Sequence, residues 1–304
     1  MNKIITFHMV AKCKSFTKAA ESLGLTQPAV SLQIKSLEEE CGMELFERVG
    51  KNILLTDAGE TLLLYVEKIL HTMEEAKRAL KEAQNPLSGE IKFGASILSG
   101  IYVIPPILGR FKREYPHVTF SVKIRFARDL IESIEDNKID FAIMGEGDES
   151  QRKQCLSFTS LLEDELVFVT SPMHKLASKK TVSAYEVLNQ DLILTEKYSA
   201  TRNYIDSEFN RYGICIEPYL ELGNIEVVKK LVAEDFGSSI LSWISVKKEV
   251  AEGNLHASKI EEMNLVRRVF LVKRKGKKFL PATNLFVSFL KSETGSIKET
   301  FGYE

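Results

Sequence analysis

Cysteine is scarce and scattered. Cys13, Cys41, Cys155 and Cys215 stand far apart along 304 residues, without zinc-type spacing or the framework of a disulfide-stapled secreted domain, and read as reduced thiols. His8, His71, His117, His174 and His256 are equally dispersed, which leaves no metal site to expect. No apolar run approaches the roughly 20 residues of a membrane span. Met1-Asn2-Lys3 leads straight into an amphipathic helical pattern instead of a leader's apolar block, so a cytoplasmic protein without a membrane partner is expected. Also missing are a Gly-x-Ser-x-Gly elbow, a Gly-x-x-x-x-Gly-Lys-Ser/Thr loop and a dinucleotide fingerprint, so neither an enzyme nor a cofactor is expected. Nor does one sign of charge dominate: 41 basic residues face 42 acidic ones, and no global field draws the chain onto nucleic acid.

Charge is informative only locally. Residues 1–36 carry Lys3, Lys12, Lys14, Lys18 and Lys35 against Glu21 alone, whereas Glu38, Glu39, Glu40, Glu44 and Glu47 follow and are expected to point away from phosphate. The basic stretch holds two helical patterns joined by a tight turn. Thr17 is placed to cap the first, with Ala19, Ala20 and Leu23 as its buried stripe and Gly24 as its end. Thr26 caps the second and Pro28 sits in its first turn, where a missing N–H costs nothing, while Val30, Ile34 and Leu37 recur at i, i+4 and i+7 as its core edge. On the other edge Gln27, Ser31 and Lys35 share one ridge with Gln33 beside it, an arrangement that can meet base edges and phosphates. An ordinary helical hairpin uses the same caps and turn, so the spacing alone does not separate the two.

The residues that follow do. Leu45-Phe46-Glu47-Arg48, a turn with Gly50 and Lys51, an apolar Ile53-Leu54-Leu55 run and Thr56-Asp57-Ala58-Gly59 come in the order of a β-wing leading into a long helix. Together with Ala19-Ala20, Gln27-Pro28-Ala29-Val30-Ser31 and Leu37-Glu38, this resembles the N-terminal domain of the LysR-type transcriptional regulators. The resemblance implies an all-α winged helix-turn-helix over 1–58, with Thr26, Gln27, Pro28, Ser31, Gln33, Lys35, Arg48 and Lys51 toward double-stranded DNA at a two-fold or inverted-repeat promoter site. RNA polymerase is a further partner it implies.

From Thr56 to about Gln84 no proline intervenes, and Leu62, Leu63, Val66, Ile69, Leu70 and Met73 keep helical spacing. Such a stripe is expected to pair with a second copy in preference to packing against its own chain's domains, giving a linker and dimerisation helix with its hinge over 59–89 and a homodimer or homotetramer. Asn85-Pro86-Leu87-Ser88-Gly89 breaks the pattern. Beyond it, strand patterns at 91–95, 118–124, 141–144, 166–170, 192–194, 219–222, 239–241 and 269–272 alternate with helical patterns at 104–114, 129–137, 202–212 and 225–233. This predicts an α/β effector domain over 90–304 with mainly parallel sheets.

Ligands in α/β folds bind beyond the carboxyl ends of strands, so those loops are where candidate binding residues lie. Ser96, Ser99 and Gly100 follow the first strand at a helix start, where free N–H groups favour an anion. Gly145-Glu146-Gly147-Asp148 reads as a flexible turn. Thr195, Ser199, Thr201 and Arg202 put hydroxyls and a guanidinium at another helix start, either as an anion clamp or as an ordinary cap with a solvated arginine.

Phe93-Gly94-Ala95-Ser96, Gly100 with Tyr102 and Pro105, Asp140-Phe141-Ala142-Ile143 before Gly145-Glu146, Glu165-Leu166 leading to Pro172 and His174, and Ser199-Ala200-Thr201-Arg202 resemble the LysR-type branch that controls carbon-fixation and sulfur-assimilation genes. This implies a two-lobed domain like a periplasmic binding protein, lobe one about 90–163 plus 267–304 and lobe two about 164–266, with crossings near 162–165 and 266–268. It favours the clamp and adds Gly145 to Ser96, Ser99, Gly100, Thr195, Ser199, Thr201 and Arg202 as binding residues for a small anionic metabolite. Tyr198 and Ala200 replace glycines of that branch, and Ile97 and Leu98 stand where hydroxyls are common, giving a larger and more apolar rim. A solute-binding protein without a DNA role is the competing reading, but it has no use for residues 1–55.

Overall fold

The computed structural model describes residues 2–49, 52–84, 88–146 and 154–300; Gly50, Lys51, the linker centre 85–87 and Gly147-Asp148 lie outside the described residues. The chain forms two compact units, Met1–Ala79 and Leu80–Glu304. Among the described residues no helix is long and apolar enough to cross a membrane.

The first unit runs α1 (Asn2–Cys13), α2 (Phe16–Leu23), α3 (Gln27–Cys41), a hairpin of β1 (Phe46–Val49) and β2 (Asn52–Leu55), then α4 (Asp57–Gln84), which continues into the second unit. The cap of α2 is Ser15 and not Thr17: its hydroxyl accepts from the Lys18 N–H at 3.3 Å, and Phe16 begins the helix with its ring against Phe46. Gly24 closes α2 at φ +65°, a left-handed conformation that glycine adopts without strain. Thr26 caps α3 by accepting from Ala29 N–H. Val30, Ile34 and Leu37 then meet Phe7, Val10, Ala19, Ala20 and Leu45 in one core.

That core corrects the expected dimer stripe. Val66 is fully buried in it, and Leu62, Leu63 and Leu70 pack against it. The short helices α1 to α3 leave an apolar opening that the first half of α4 covers. Helix α4 is apolar on a second face as well, where Leu64, Tyr65 and Ile69 are exposed, and periodicity alone could not rank the two.

In the second unit lobe one is built on β3 (Gly89–Ala95), β4 (Val118–Ile124) and β5 (Phe141–Gly145), which pair in parallel in the order β4-β3-β5. α5 (Ile104–Glu114), α6 (Ala127–Glu135) and α11 (Pro281–Thr300) belong to the same lobe. Phe93 stacks on Phe141 at 5.1 Å, with Phe111 and Phe286 in the same cluster. β6 (Leu156–Thr170) is longer than the pattern suggested. Its first part forms an antiparallel ladder with β12 (Val266–Arg274), and its last residues pair with β10 (Ser239–Ser242) and β11 (His256–Ile260) of lobe two. The sheet is therefore mixed and not mainly parallel, because both crossing strands run against their neighbours. Lobe two adds β7 (Thr181–Val182), α7 (Ala184–Leu188), the parallel pair β8 (Ile193–Thr195) and β9 (Leu220–Leu222), α8 (Ala200–Arg211), α9 (Ile225–Ala233) and α10 (Trp243–Ala251). β7 and β11 were not expected; one has two residues, and the other carries polar His256 and Lys259.

Val66→Asp buries a carboxylate without a partner in the first unit's core and should cost more than the roughly 3 kcal/mol that bounds ordinary substitutions, whereas Glu21→Gln on the exposed side of α2 should leave the unit's unfolding transition within about 0.5 kcal/mol. Chemical denaturation followed by circular dichroism checks both. A Val66→Asp protein with an unchanged transition would remove α4 from this core.

Candidate nucleic-acid interface and ligand cleft

α3 carries the candidate reading edge. Thr26, Gln27, Pro28 and Lys35 are exposed and Ser31 half-buried, with Gln27 Nε2 donating to Ser31 Oγ at 2.9 Å, so the expected ridge is present. Gln33 departs from it. Its Oε1 accepts from Thr6 Oγ1 at 2.7 Å, which turns the side chain toward α1 and gives it a packing role. Leu32 was missed: it is 69% exposed on the outer face, and its break from the 30-34-37 core spacing was the available signal. A leucine there can meet a thymine methyl. Arg48 is exposed on β1, whereas Lys51 lies outside the described residues. The acidic run has specific uses. Glu38 Oε1 accepts from the N–H groups of Leu45 and Phe46 and so fixes the start of the hairpin, Glu40 pairs with Lys3, and Glu39 lies 4.0 Å from Lys35.

In the second unit two adjoining cavities of about 40 and 50 Å³ lie between the lobes and share Ile97, Leu98, Phe126, Ser199 and Thr201. The larger is bordered by Ser96 after β3, Gly145 at the end of β5, Ala127 at the start of α6, Ala200 and Thr201 at the start of α8, and Arg267 from β12. Two helix N-termini, one from each lobe, thus meet at one small space. That of α6 has no side-chain cap, which leaves its first N–H groups without one, while Ser199 caps α8 through Arg202 N–H at 3.0 Å. Thr195 borders the other cavity, and its hydroxyl lies 2.7 Å from Ser199 Oγ. Ser99 and Gly100 do not border either cavity. Ser99 is buried with its Oγ 3.1 Å from that of Ser96, and a Cβ on Gly100 would come within 2.9 Å of Ile124. They shape the π-helical segment Ser99–Val103 that precedes α5.

The expected clamp arginine is also elsewhere. Arg202 is 2% exposed and turned inward, its Nε bonded to Asp206 at 2.8 Å and Nη1 to Glu221 at 3.0 Å. Burial works against its charge, but the hydrogen bonds it donates to the two carboxylates more than offset this and hold its pKa above the ordinary value. The guanidinium at the cleft is Arg267, 1% exposed. Its Nε and Nη2 both lie 2.9 Å from Asp164 Oδ2, and its Nη1 donates to Thr201 Oγ1 at 3.0 Å. Nearby, Tyr204 donates its hydroxyl to Val266 O, and burial, helped by Glu208, pushes its pKa up to about 12, so it stays protonated. Sequence reasoning missed Arg267, Phe126 and Ala127. The strand alternation that faces Val269 and Leu271 inward also faces Arg267 inward, and that was its signal.

Residues 1–60 match the family model described as bacterial regulatory helix-turn-helix protein, lysR family, and residues 84–295 match the LysR substrate binding domain. The probable RuBisCO transcriptional regulator of Cyanophora paradoxa is 32% identical over 275 residues, covering 90% of this chain and 85% of that protein. Its counterpart from Porphyra purpurea is 32% identical over 280 residues, covering 91% and 88%. These relatives carry the carbon-fixation side of the resemblance. The Synechocystis PCC6803 CcmR regulatory domain in complex with 2-PG is 27% identical with a TM-score of 0.61, covering 67% of this chain and 97% of that one. Full-length CbnR complexed with its target DNA is similar in fold, with a TM-score of 0.70 at 18% identity over 96% of this chain and 98% of that one.

Because Arg202 ties α8 to β9 and does not reach the cleft, Arg202→Ala should lower the stability of the second unit by about 1.5–3 kcal/mol, the range for hydrogen bonds to charged groups. Thermal unfolding checks this. A variant as stable as the parent would show that the two ion pairs contribute nothing.

Proposed function

The chain belongs to the LysR family of DNA-binding transcriptional regulators with an effector-binding domain, and from that membership we propose that its cleft binds a small anion whose capture biases the closure of the two lobes. The observation that carries this reading is the meeting of the α6 and α8 N-termini with Ser96, Thr201 and Arg267 around one cavity, since N–H groups, hydroxyls and a guanidinium all favour negative charge. 2-PG, the ligand of the CcmR regulatory domain, is the first compound to test. A ligand shifts a two-state equilibrium only by binding one state better, and the cleft meets that condition because its walls come from both lobes. The protein acts without catalysis, in the cytoplasm. Residues 1–58 read DNA, 59–89 form the linker, and 90–304 form the sensor. Leu64, Tyr65 and Ile69 are the exposed apolar residues with which α4 joins a second copy, as a dimer or a tetramer. On the DNA side Gln27, Ser31 and Leu32 read base edges, and Lys35 and Arg48 hold phosphate.

Arg267→Ala would strand the buried carboxylate of Asp164, so Thr201→Val and Ser96→Ala are the better probes of the cleft. Each should weaken 2-PG binding, measured by calorimetry on the full chain, by about 0.5–1.5 kcal/mol, with DNA affinity in the absence of ligand unchanged. Lys35→Ala should lower the slope of log affinity against log salt by about one for every DNA sequence alike. Unaltered ligand affinity in both cleft variants overturns the anion reading, and an unaltered salt slope removes Lys35 from the phosphate contacts.

A further inference from the structure

The charged groups around the cleft decide which anions it accepts. Among the described residues that border the two cavities, the charged ones are Arg125, Arg267 and Glu196. Arg267 is already matched by Asp164, with which it shares two contacts of 2.9 Å, and so brings direction more than net charge. Glu196 borders the cavity that does not contain Arg267 and opposes an anion at that end. Net attraction therefore rests on Arg125. Its backbone is fixed, with the N–H on Ala95 O at 3.2 Å beside Ser96, and the side chain is exposed at the start of α6 with Nη1 on Ile124 O at 2.8 Å. No carboxylate pairs with it among the described residues. A guanidinium has five donors in a planar fork, so most of this one is uncommitted.

We propose that Arg125 is a specificity-determining arm of this cleft, folding over a second negative charge so that the site selects compact dianions over monoanions of equal size. The inference rests on the anion reading of the cleft and adds the class of ligand. Compactness follows from the placement of charge. Both negative groups gain only at the end bordered by Arg125, Arg267 and the starts of α6 and α8, while a charge carried to the far end meets Glu196 past the apolar walls of Ile97, Leu98 and Phe126.

Malonate and its monoamide, malonamate, are nearly equal in size and differ by one charge. Calorimetry on the full chain at constant ionic strength should show malonate binding to the parent roughly tenfold more tightly than malonamate. Arg125→Gln should erase that ratio by weakening malonate far more than malonamate, Arg125→Lys should retain most of it, and Glu196→Gln should tighten malonate. A parent that binds both probes equally, or an Arg125→Gln protein that keeps the ratio, overturns the proposal while the cleft reading stands. A parent that binds neither malonate, malonamate nor 2-PG overturns the cleft reading itself, and this proposal with it.

Discussion

The second unit depends on one buried ion pair at the place where the chain crosses between lobes. Asp164 and Arg267 are partners across the β6/β12 ladder, and neither side chain is more than 1% exposed. Removing two charges from water is costly, and the cost is met only when every remaining polar atom finds a partner. Here the partners come from lobe two: Ser242, at the start of α10, donates to Asp164 at 2.6 Å, and Thr201, in the first turn of α8, accepts from Arg267 at 3.0 Å. The pair thus sets the strand register at the crossing and anchors two helices to it. A slip of one residue would turn Arg267 outward and take its guanidinium away from both Asp164 and Thr201.

Arg267 of this pair also borders the cavity, so the cleft and the lobe crossing share a side chain. Other groups tie the lobes together near it. Leu98, in the loop that begins at Ser96, is seated among Val167, Ile225 and Val228 of lobe two. Four residues later Tyr102 bonds Glu226, and Lys229 lies 3.2 Å from the tyrosine hydroxyl with Glu249 against its ammonium group. Burial, reinforced by Glu226, raises the pKa of Tyr102, so the hydroxyl donates throughout the working pH range. A change at Ser96 is therefore connected to lobe two through an apolar seat and a charged cluster on one short segment.

In the first unit polar side chains that could have faced DNA are used to hold the fold. Gln33 serves Thr6, Lys3 serves Glu40, and Glu38 holds the hairpin. What remains outward along the reading edge of α3 is a narrow strip of Gln27, Pro28, Ser31, Leu32 and Lys35. The division is physical: side chains on the flank of a helix that faces its neighbours can find partners inside the unit, and those beyond reach stay available to a ligand.

Elements set by local chemistry were legible in the chain. The Gly24 turn, the Thr26 cap, the core edge of α3 and the exact extents of α5 and α9 follow from spacing and capping, which act over a few residues. So were the cavity positions of Ser96, Thr195, Ser199 and Thr201, because strand ends and helix starts mark where such a fold forms its cavity, whereas Gly145 entered only through the resemblance. Properties decided over long separations were not. Which apolar face of α4 is covered depends on the size of the opening left by α1 to α3, and the mixed pairing of the sheet on how β6 and β12 cross. Arg267, and not Arg202, stands at the cleft because an arginine goes where its carboxylates are: Asp206 lies one turn from Arg202, whereas the partner of Arg267 is 103 residues away in sequence and adjacent only in the folded ladder. The sequence by itself determined most of the elements, their order and the family; only the tertiary structure decided which charge faces the cleft, because that choice is made by pairing across the chain.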